Sequence, residues 1–321
     1  MRDHGGNIDG ARSLFGGAPE DWIDLSTGIN RVPYPIPALS PDAWQALPTQ
    51  AALASLVDAA KRTYRCETNI LPVAGAQAAI QLIPRLFQIG HARVLSPTYN
   101  EHAACLLGAG WTVEEVDTVD GLVGADLAIL VNPNNPDGRE TSPQRLVDLA
   151  QKVGHLVVDE SFADARPDLS VVPFMTGVDN LFVLRSFGKF YGLAGLRLGF
   201  VLGSADSIAT LSAMSGPWPV SGVAIEIGRK ALLDDTWAQD TVARLRQEVS
   251  QIDRMATAAG WTVIGGTELF RLYDTPNAQD AQSKLAQNHI WSRIFPWSHG
   301  LIRLGLPGTV QEWTRLREAM S

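Results

Sequence analysis

The chain has 321 residues, enough for one large domain or two modest ones, and its composition of 45% hydrophobic and 19% charged residues excludes disorder, collagen and a coiled coil. With 26 basic against 34 acidic residues the formal charge is −8, which argues against a broad nucleic-acid surface. Two cysteines, Cys66 and Cys105, are too few for a disulfide scaffold or a cysteine-built zinc site, and the six histidines are scattered without metal-ligand spacing, so no metal is expected.

Residues 1–7 have no apolar core of the kind a secretory signal needs, and no apolar run approaches the length that crosses a bilayer. A soluble cytoplasmic protein is expected. Residues 28–48 are proline-rich (Pro33, Pro35, Pro37, Pro41, Pro48) and read as loop. Strands are predicted at Ile70–Ala74, Ala92–Leu95, Trp111–Val116, Leu127–Val131, Leu156–Val158, Leu181–Leu184 and Leu198–Leu202. Several are continuous Val/Ile/Leu runs, as expected of strands covered on both faces. Between them, Gln77–Gln88, Glu101–Ala109 and Pro143–Val153 read as helices, the last opened by Ser142 and Pro143.

This alternation predicts an α/β domain with a mostly parallel sheet. Beyond Gly216-Pro217-Trp218-Pro219 the pattern changes: Val220–Ala259 reads as long helix, and a strand, strand, helix, strand, strand, helix series follows. The expected organisation is an N-terminal arm over residues 1–40 lying near the site, a large domain over 41–215 and a small α+β domain over 216–321.

In an open parallel sheet, ligands bind beyond the carboxyl ends of the strands. Following the predicted strands come Gly75-Ala76-Gln77, then Ser96-Pro97-Thr98-Tyr99, Asn132–Gly138, Asp159–Phe162, and Arg185-Ser186-Phe187-Gly188-Lys189. One rim thus collects polar, charged and aromatic groups suited to a phosphorylated, electron-withdrawing aromatic cofactor. Gly75, Ala76 and Gln77 at a helix start offer N–H groups and positive dipole to a phosphate, Ser186 a hydroxyl and Arg197 a guanidinium. Lys189 has the chemistry of a Schiff-base lysine, Asp159 that of a partner for a protonated ring nitrogen, and Tyr99 that of a stacking platform.

The runs Asn132–Gly138, Asp159–Phe162 and Ser186–Lys189, with Arg197 eight residues after the lysine, resemble fold-type-I pyridoxal-phosphate enzymes. The subgroup they resemble contains histidinol-phosphate aminotransferase and threonine-phosphate decarboxylase, and the resemblance covers His4 to about Arg303. It implies a seven-stranded, mostly parallel sheet in the large domain and a homodimer. It further implies that Lys189 holds pyridoxal 5'-phosphate covalently, Asp159 binds the pyridine nitrogen, and Asn135 bonds the ring hydroxyl. Gly75, Ala76, Gln77, Ser186 and Arg197 are implied to bind the cofactor phosphate, Tyr99 to stack on the ring, and Arg303 to grip a substrate carboxylate.

Three features lean toward decarboxylation of a small phosphorylated amino acid. The opening His4-Gly5-Gly6-Asn7 with Asp24–Asn30 resembles threonine-phosphate decarboxylases, whose amino-terminal segment helps bind substrate. Position 162 is Phe where most aminotransferases have Tyr, and Arg293 with Arg303 offers cations for two anions. His4, Asn7, Ser26, Asn30 and Arg293 are the candidates for a substrate phosphate. The resemblance implies conversion of L-threonine O-3-phosphate to (R)-1-aminopropan-2-ol O-2-phosphate, a linker in cobalamin biosynthesis. The alternative is a histidinol-phosphate-type aminotransferase using 2-oxoglutarate. One departure stands out: many relatives have Arg-Tyr-Pro where this chain has Ala46-Leu47-Pro48, so Leu47 replaces a tyrosine that reaches across a dimer to the cofactor phosphate.

Overall fold

The computed structural model describes residues 4–321, which divide into two compact units. The larger runs over Tyr34–Asn135 and Arg139–Trp237. The smaller gathers the described residues up to Pro33, the short segment Pro136–Gly138, and Ala238–Ser321. The expected boundaries at 40 and 215 therefore move. The residues before Pro33 join the carboxyl-terminal part instead of standing as a separate arm, and residues 216–237 join the larger unit.

The larger unit is built on a seven-stranded sheet: β1 (Asn69–Val73), β2 (His91–Leu95), β3 (Thr112–Val116), β4 (Leu127–Val131), β5 (His155–Asp159), β6 (Leu181–Ser186) and β7 (Gly199–Gly203). The strand order is β1-β7-β6-β5-β4-β2-β3, and only β7 runs antiparallel to its neighbours. Every residue of β4 is buried, which explains its unbroken Leu-Ala-Ile-Leu-Val sequence. Leu71, Val94, Ile129, Val157, Phe182, Leu184 and Val201 form one core cluster, with Ile80 and Leu106 packed on it from flanking helices.

The helices of this unit include α1 (Gln50–Tyr64), α2 (Ala76–Leu82), α3 (Glu101–Gly108), α4 (Pro143–Ala150), the short α5 (Phe187–Phe190) and α6 (Gly222–Leu232), and the helix Ala205–Ser215 adds Ile208 and Leu211 to the same core. Helix α2 is shorter than predicted because Pro84, lacking an N–H, converts its continuation into a 3₁₀ turn over Ile83–Arg85. The predicted Val220–Ala259 helix is two. Asp234 interrupts it and accepts a hydrogen bond from Trp237 N at 3.0 Å, opening α7 (Asp235–Ala258).

In the smaller unit, β8 (Thr262–Thr267), β9 (Phe270–Asp274), β10 (Arg293–Ile294) and β11 (Leu301–Gly305) form an antiparallel sheet of order β10-β11-β9-β8. Helices α8 (Ala278–Gln287) and α9 (Val310–Met320) complete it. Ile23–Asp24 pairs in parallel with Ile290–Trp291, and Arg31 forms an ion pair with Glu312. These contacts tie the amino-terminal residues into this unit. Among the described residues no helix is long and apolar enough to cross a membrane.

Candidate active site

Register places the site. Val131 of β4 lies beside Asp159 of β5, which lies beside Leu184 of β6, so the carboxyl ends of three central strands reach one rim together. Helix α5, carrying Lys189, follows β6 directly, and Ser186 at the end of β6 pairs with Gly199 at the start of β7. At this rim Gly75, Ala76, Gln77, Tyr99, Asn135, Asp159, Phe162, Ser186, Lys189 and Arg197 all line one cavity of about 150 Å³. These are the residues that the sequence assigned to a cofactor.

The phosphate end is shaped by close approach. Gly75 has φ +76, and a methyl group built on it would stand 2.6 Å from Arg197 Nη2. A larger residue would fill the space between the guanidinium and the start of α2. Gly199 is equally constrained, since a Cβ there would meet Ala76 N at 2.5 Å. Gly75 N donates to Val73 O at 2.7 Å and Ala78 N to Gly75 O at 3.0 Å, which leaves the Ala76 and Gln77 N–H groups of the first turn of α2 without an intrahelical acceptor and available for an anion.

Asp159 is 3% exposed and fully engaged. Its Oδ2 lies 2.9 Å from His102 Nε2, and its Oδ1 accepts from Ser161 N at 2.9 Å and from the Ser161 hydroxyl. Burial alone pushes this carboxyl up, but His102 and Ser161 outweigh it and hold Asp159 below the ordinary aspartate range. The carboxylate is thus kept charged where a cationic partner could meet it.

Phe162 is buried, and Lys189 Nζ lies 5.8 Å from its ring centroid. An apolar ring therefore flanks the amine where a phenol would supply a donor. Tyr99 donates to Gln77 Oε1 at 3.2 Å, and burial, with the Glu101 charge second, pushes its phenol up to about 12.

Sequence reasoning missed two groups here. His102 was detectable only as a polar residue three positions after Tyr99, one helical turn on. Arg185 is 4% exposed and donates to Glu160 Oε2 at 2.7 Å and Asp164 Oδ1 at 2.8 Å, with its guanidinium 4.3 Å from the Tyr64 ring centroid. It clamps the residue after Asp159 to the residue before Ser186.

The remaining candidates lie in the smaller unit. Arg303 is 6% exposed, donates to Ser26 O at 2.6 Å and stands directly opposite Arg293 in the β10–β11 ladder. Burial first, then the Arg293 charge, pulls its guanidinium down to about 9. Two like charges in register are unfavourable unless an anion accompanies them. His4, Asn7 and Arg293 line one cavity, whereas Ser26, Asn30 and Arg303 are not among its lining residues. The Ser26 hydroxyl donates to Asp24 Oδ1 at 2.6 Å and accepts from Gly6 N at 2.7 Å. Asn30 Oδ1 accepts from Val32 N and Arg244 Nη2, and Asn7 Oδ1 caps the helix Ile8–Phe15. These three side chains have structural duties the sequence did not reveal.

The sequence matches the family model described as aminotransferase class I and II over residues 21–319. The chain belongs to this family. It is 42% identical to a threonine-phosphate decarboxylase of Sinorhizobium sp, over 99% of this chain and 97% of the relative. It is 37% identical to one of Pseudomonas aeruginosa, over 100% and 97%. In fold it is similar to a histidinol-phosphate aminotransferase from Sinorhizobium meliloti solved with pyridoxal-5'-phosphate (TM-score 0.83, 20% identity, 100% of this chain and 94% of that one). It is also similar to an L-threonine-O-3-phosphate decarboxylase from Porphyromonas gingivalis (TM-score 0.75, 20% identity, 92% and 97%).

The residues present fit pyridoxal phosphate. The cradle between Gly75 and Arg197 suits a phosphate, the charged Asp159 suits a pyridinium, Tyr99 supplies an aromatic face and Lys189 an amine.

Proposed function

We propose that this protein decarboxylates L-threonine O-3-phosphate with pyridoxal 5'-phosphate, giving carbon dioxide and (R)-1-aminopropan-2-ol O-2-phosphate. The observation that carries this reading is the full-length similarity to the two threonine-phosphate decarboxylases. Two features of the chain agree with it: Phe162 beside Lys189, and the cross-strand arginine pair. The product then serves as the aminopropanol linker of cobalamin.

When bound, pyridoxal phosphate supplies an electron sink for the pair left on the substrate α-carbon as a bond to that carbon breaks. Arg197, Ser186 and the N–H groups of Ala76 and Gln77 would hold its phosphate, Gly75 would leave room for it while its own N–H stays on Val73 O, and Asn135 would bond its ring hydroxyl. Asp159, held ionised by His102 and Ser161, would keep the pyridine nitrogen of a bound cofactor protonated. Lys189 would provide the amine that attaches the cofactor, and its ammonium or a water would return a proton to the substrate α-carbon. Arg303 takes the substrate carboxylate, and Arg293 with His4 and Asn7 takes its phosphate. Ser26 and Asn30 shape the backbone beside these groups. Where Arg303 and Arg293 hold the two anions of the substrate would decide which bond to the α-carbon breaks.

In this reading the working form is a homodimer in the cytoplasm. Ile36, Trp44 and Leu47, 67%, 72% and 63% exposed, offer apolar surface on the proline-rich segment where a second copy would cover it. Leu47 has no hydroxyl for the cofactor phosphate of a partner, so Arg197 and the α2 cradle carry that phosphate. The test is incubation of cofactor-loaded protein with threonine phosphate. Carbon dioxide release independent of 2-oxoglutarate is expected, and keto-acid-dependent turnover without gas would assign it to the aminotransferases instead.

A further inference from the structure

Beside Lys189 and Asp159, one wall of the larger unit's cavity is organised by a hydrogen-bond chain that begins on a carboxylate the chemistry above does not use. Glu101 is the first residue of α3 and only 7% exposed. Its Oε2 accepts from Gln77 Nε2 at 3.0 Å, and Gln77 Oε1 in turn accepts from Tyr99 Oη at 3.2 Å. The Tyr99 ring meets His102 edge to face, with centroids 6.1 Å apart at 85°, and His102 is the residue bonded to Asp159.

The chemistry of the three groups dictates a direction. A carboxylate can only accept, so the Gln77 amide must turn its NH₂ toward Glu101. Its carbonyl oxygen then faces Tyr99, and a carbonyl can only accept as well. The Tyr99 hydroxyl must therefore donate. Without Glu101 the amide could rotate by half a turn, and the phenol would become acceptor instead of donor. A buried carboxylate is costly and needs compensating bonds, and its place in the first helical turn supplies part of that compensation. Tyr99 with a phenol near 12 remains protonated over the whole working range, as this chain requires.

We propose that Glu101 is a positioning residue that acts through Gln77 on Tyr99, fixing the ring against the cofactor with its hydroxyl proton committed to Gln77. The proposal rests on the cofactor reading given above and deepens it: the ring that faces the cofactor is oriented from two residues away. Gln77 thereby joins the two ends of the site, with its backbone at the phosphate cradle and its side chain on the stacking residue.

The test is a double-mutant cycle on the holoenzyme with Glu101→Leu, Tyr99→Phe and the double variant. The readouts are visible-region circular dichroism per bound cofactor, which reports how firmly the ring is held in an asymmetric site, and kcat for threonine phosphate. Glu101→Leu is expected to weaken the dichroism and to lower kcat roughly tenfold, the scale of a small misplacement. In the Tyr99→Phe background the same change should do little to either. Equal losses in both backgrounds, or unaltered dichroism in Glu101→Leu, would overturn the proposal. Should Glu101→Leu fail to fold, Glu101→Gln keeps the volume but no longer imposes a direction. It should show the same dependence on Tyr99, and independence from Tyr99 again counts against the proposal. The dichroism needs no substrate, so it stands apart from the substrate assignment, which fails separately if wild-type protein releases no carbon dioxide.

Discussion

His102 Nε2 and Asp159 Oδ2 lie 2.9 Å apart, and both side chains are almost completely buried. With Ser161 on the other oxygen, the pair fixes the position and charge of the carboxylate proposed to meet the cofactor ring. Because Asp159 is held below its unfolded value of about 3.8, its contribution to stability is full above that pH. It is lost as pH falls through the lower, folded value.

His102→Phe removes one acceptor–donor contact from a buried carboxylate and should destabilise cofactor-free protein by about 1–3 kcal/mol at pH 7. Urea unfolding from pH 3 to 7 checks the sign. The gap between variant and wild type should narrow as pH drops below 4, where Asp159 becomes protonated in the variant and in the unfolded chain.

Phe162→Tyr places a phenol donor beside the amine. In the loaded enzyme it should lower the pKa of the visible absorption band by about one unit, the size of one ordinary hydrogen bond. Spectrophotometric titration measures it. An unchanged or higher value removes Phe162 from the explanation of this site.

Arg185 balances two buried carboxylates. Arg185→Met leaves Glu160 and Asp164 without their cation and should cost about 3–5 kcal/mol, measured by denaturant unfolding. Replacing all three residues with apolar ones of similar volume should recover most of that loss.

Arg303→Met removes the buried guanidinium proposed to hold the substrate carboxylate, and kcat/KM should fall about 100-fold or more. The guanidinium stays charged across the working range, so the loss in the variant should fall on substrate binding and show as a raised KM at every pH.

The fold was legible because its signals are local. Leu127–Val131 is a strand buried on both faces and reads as one, and the groups that follow each strand land at the rim by chain order alone. The cofactor candidates were legible for the same reason. His102 and Arg185 were not, because their meaning depends on partners brought from other strands, at positions 159, 160 and 164. Ser26 and Asn30 show the converse: their side-chain oxygens serve nearby turns and Arg244, which no residue spacing discloses. The boundary at Pro33 was not legible because a two-residue strand, Ile23–Asp24, and one partly buried ion pair tie the amino-terminal residues to the smaller unit.

The central claim is that the Lys189 amine carries the cofactor. Borohydride reduction of the protein loaded with pyridoxal phosphate, followed by peptide mass spectrometry, tests it most directly. A phosphopyridoxyl group on the peptide containing Lys189, absent from Lys189→Ala, is the predicted result. Colourless protein with no modification at that lysine, or modification spread over surface lysines, would contradict it.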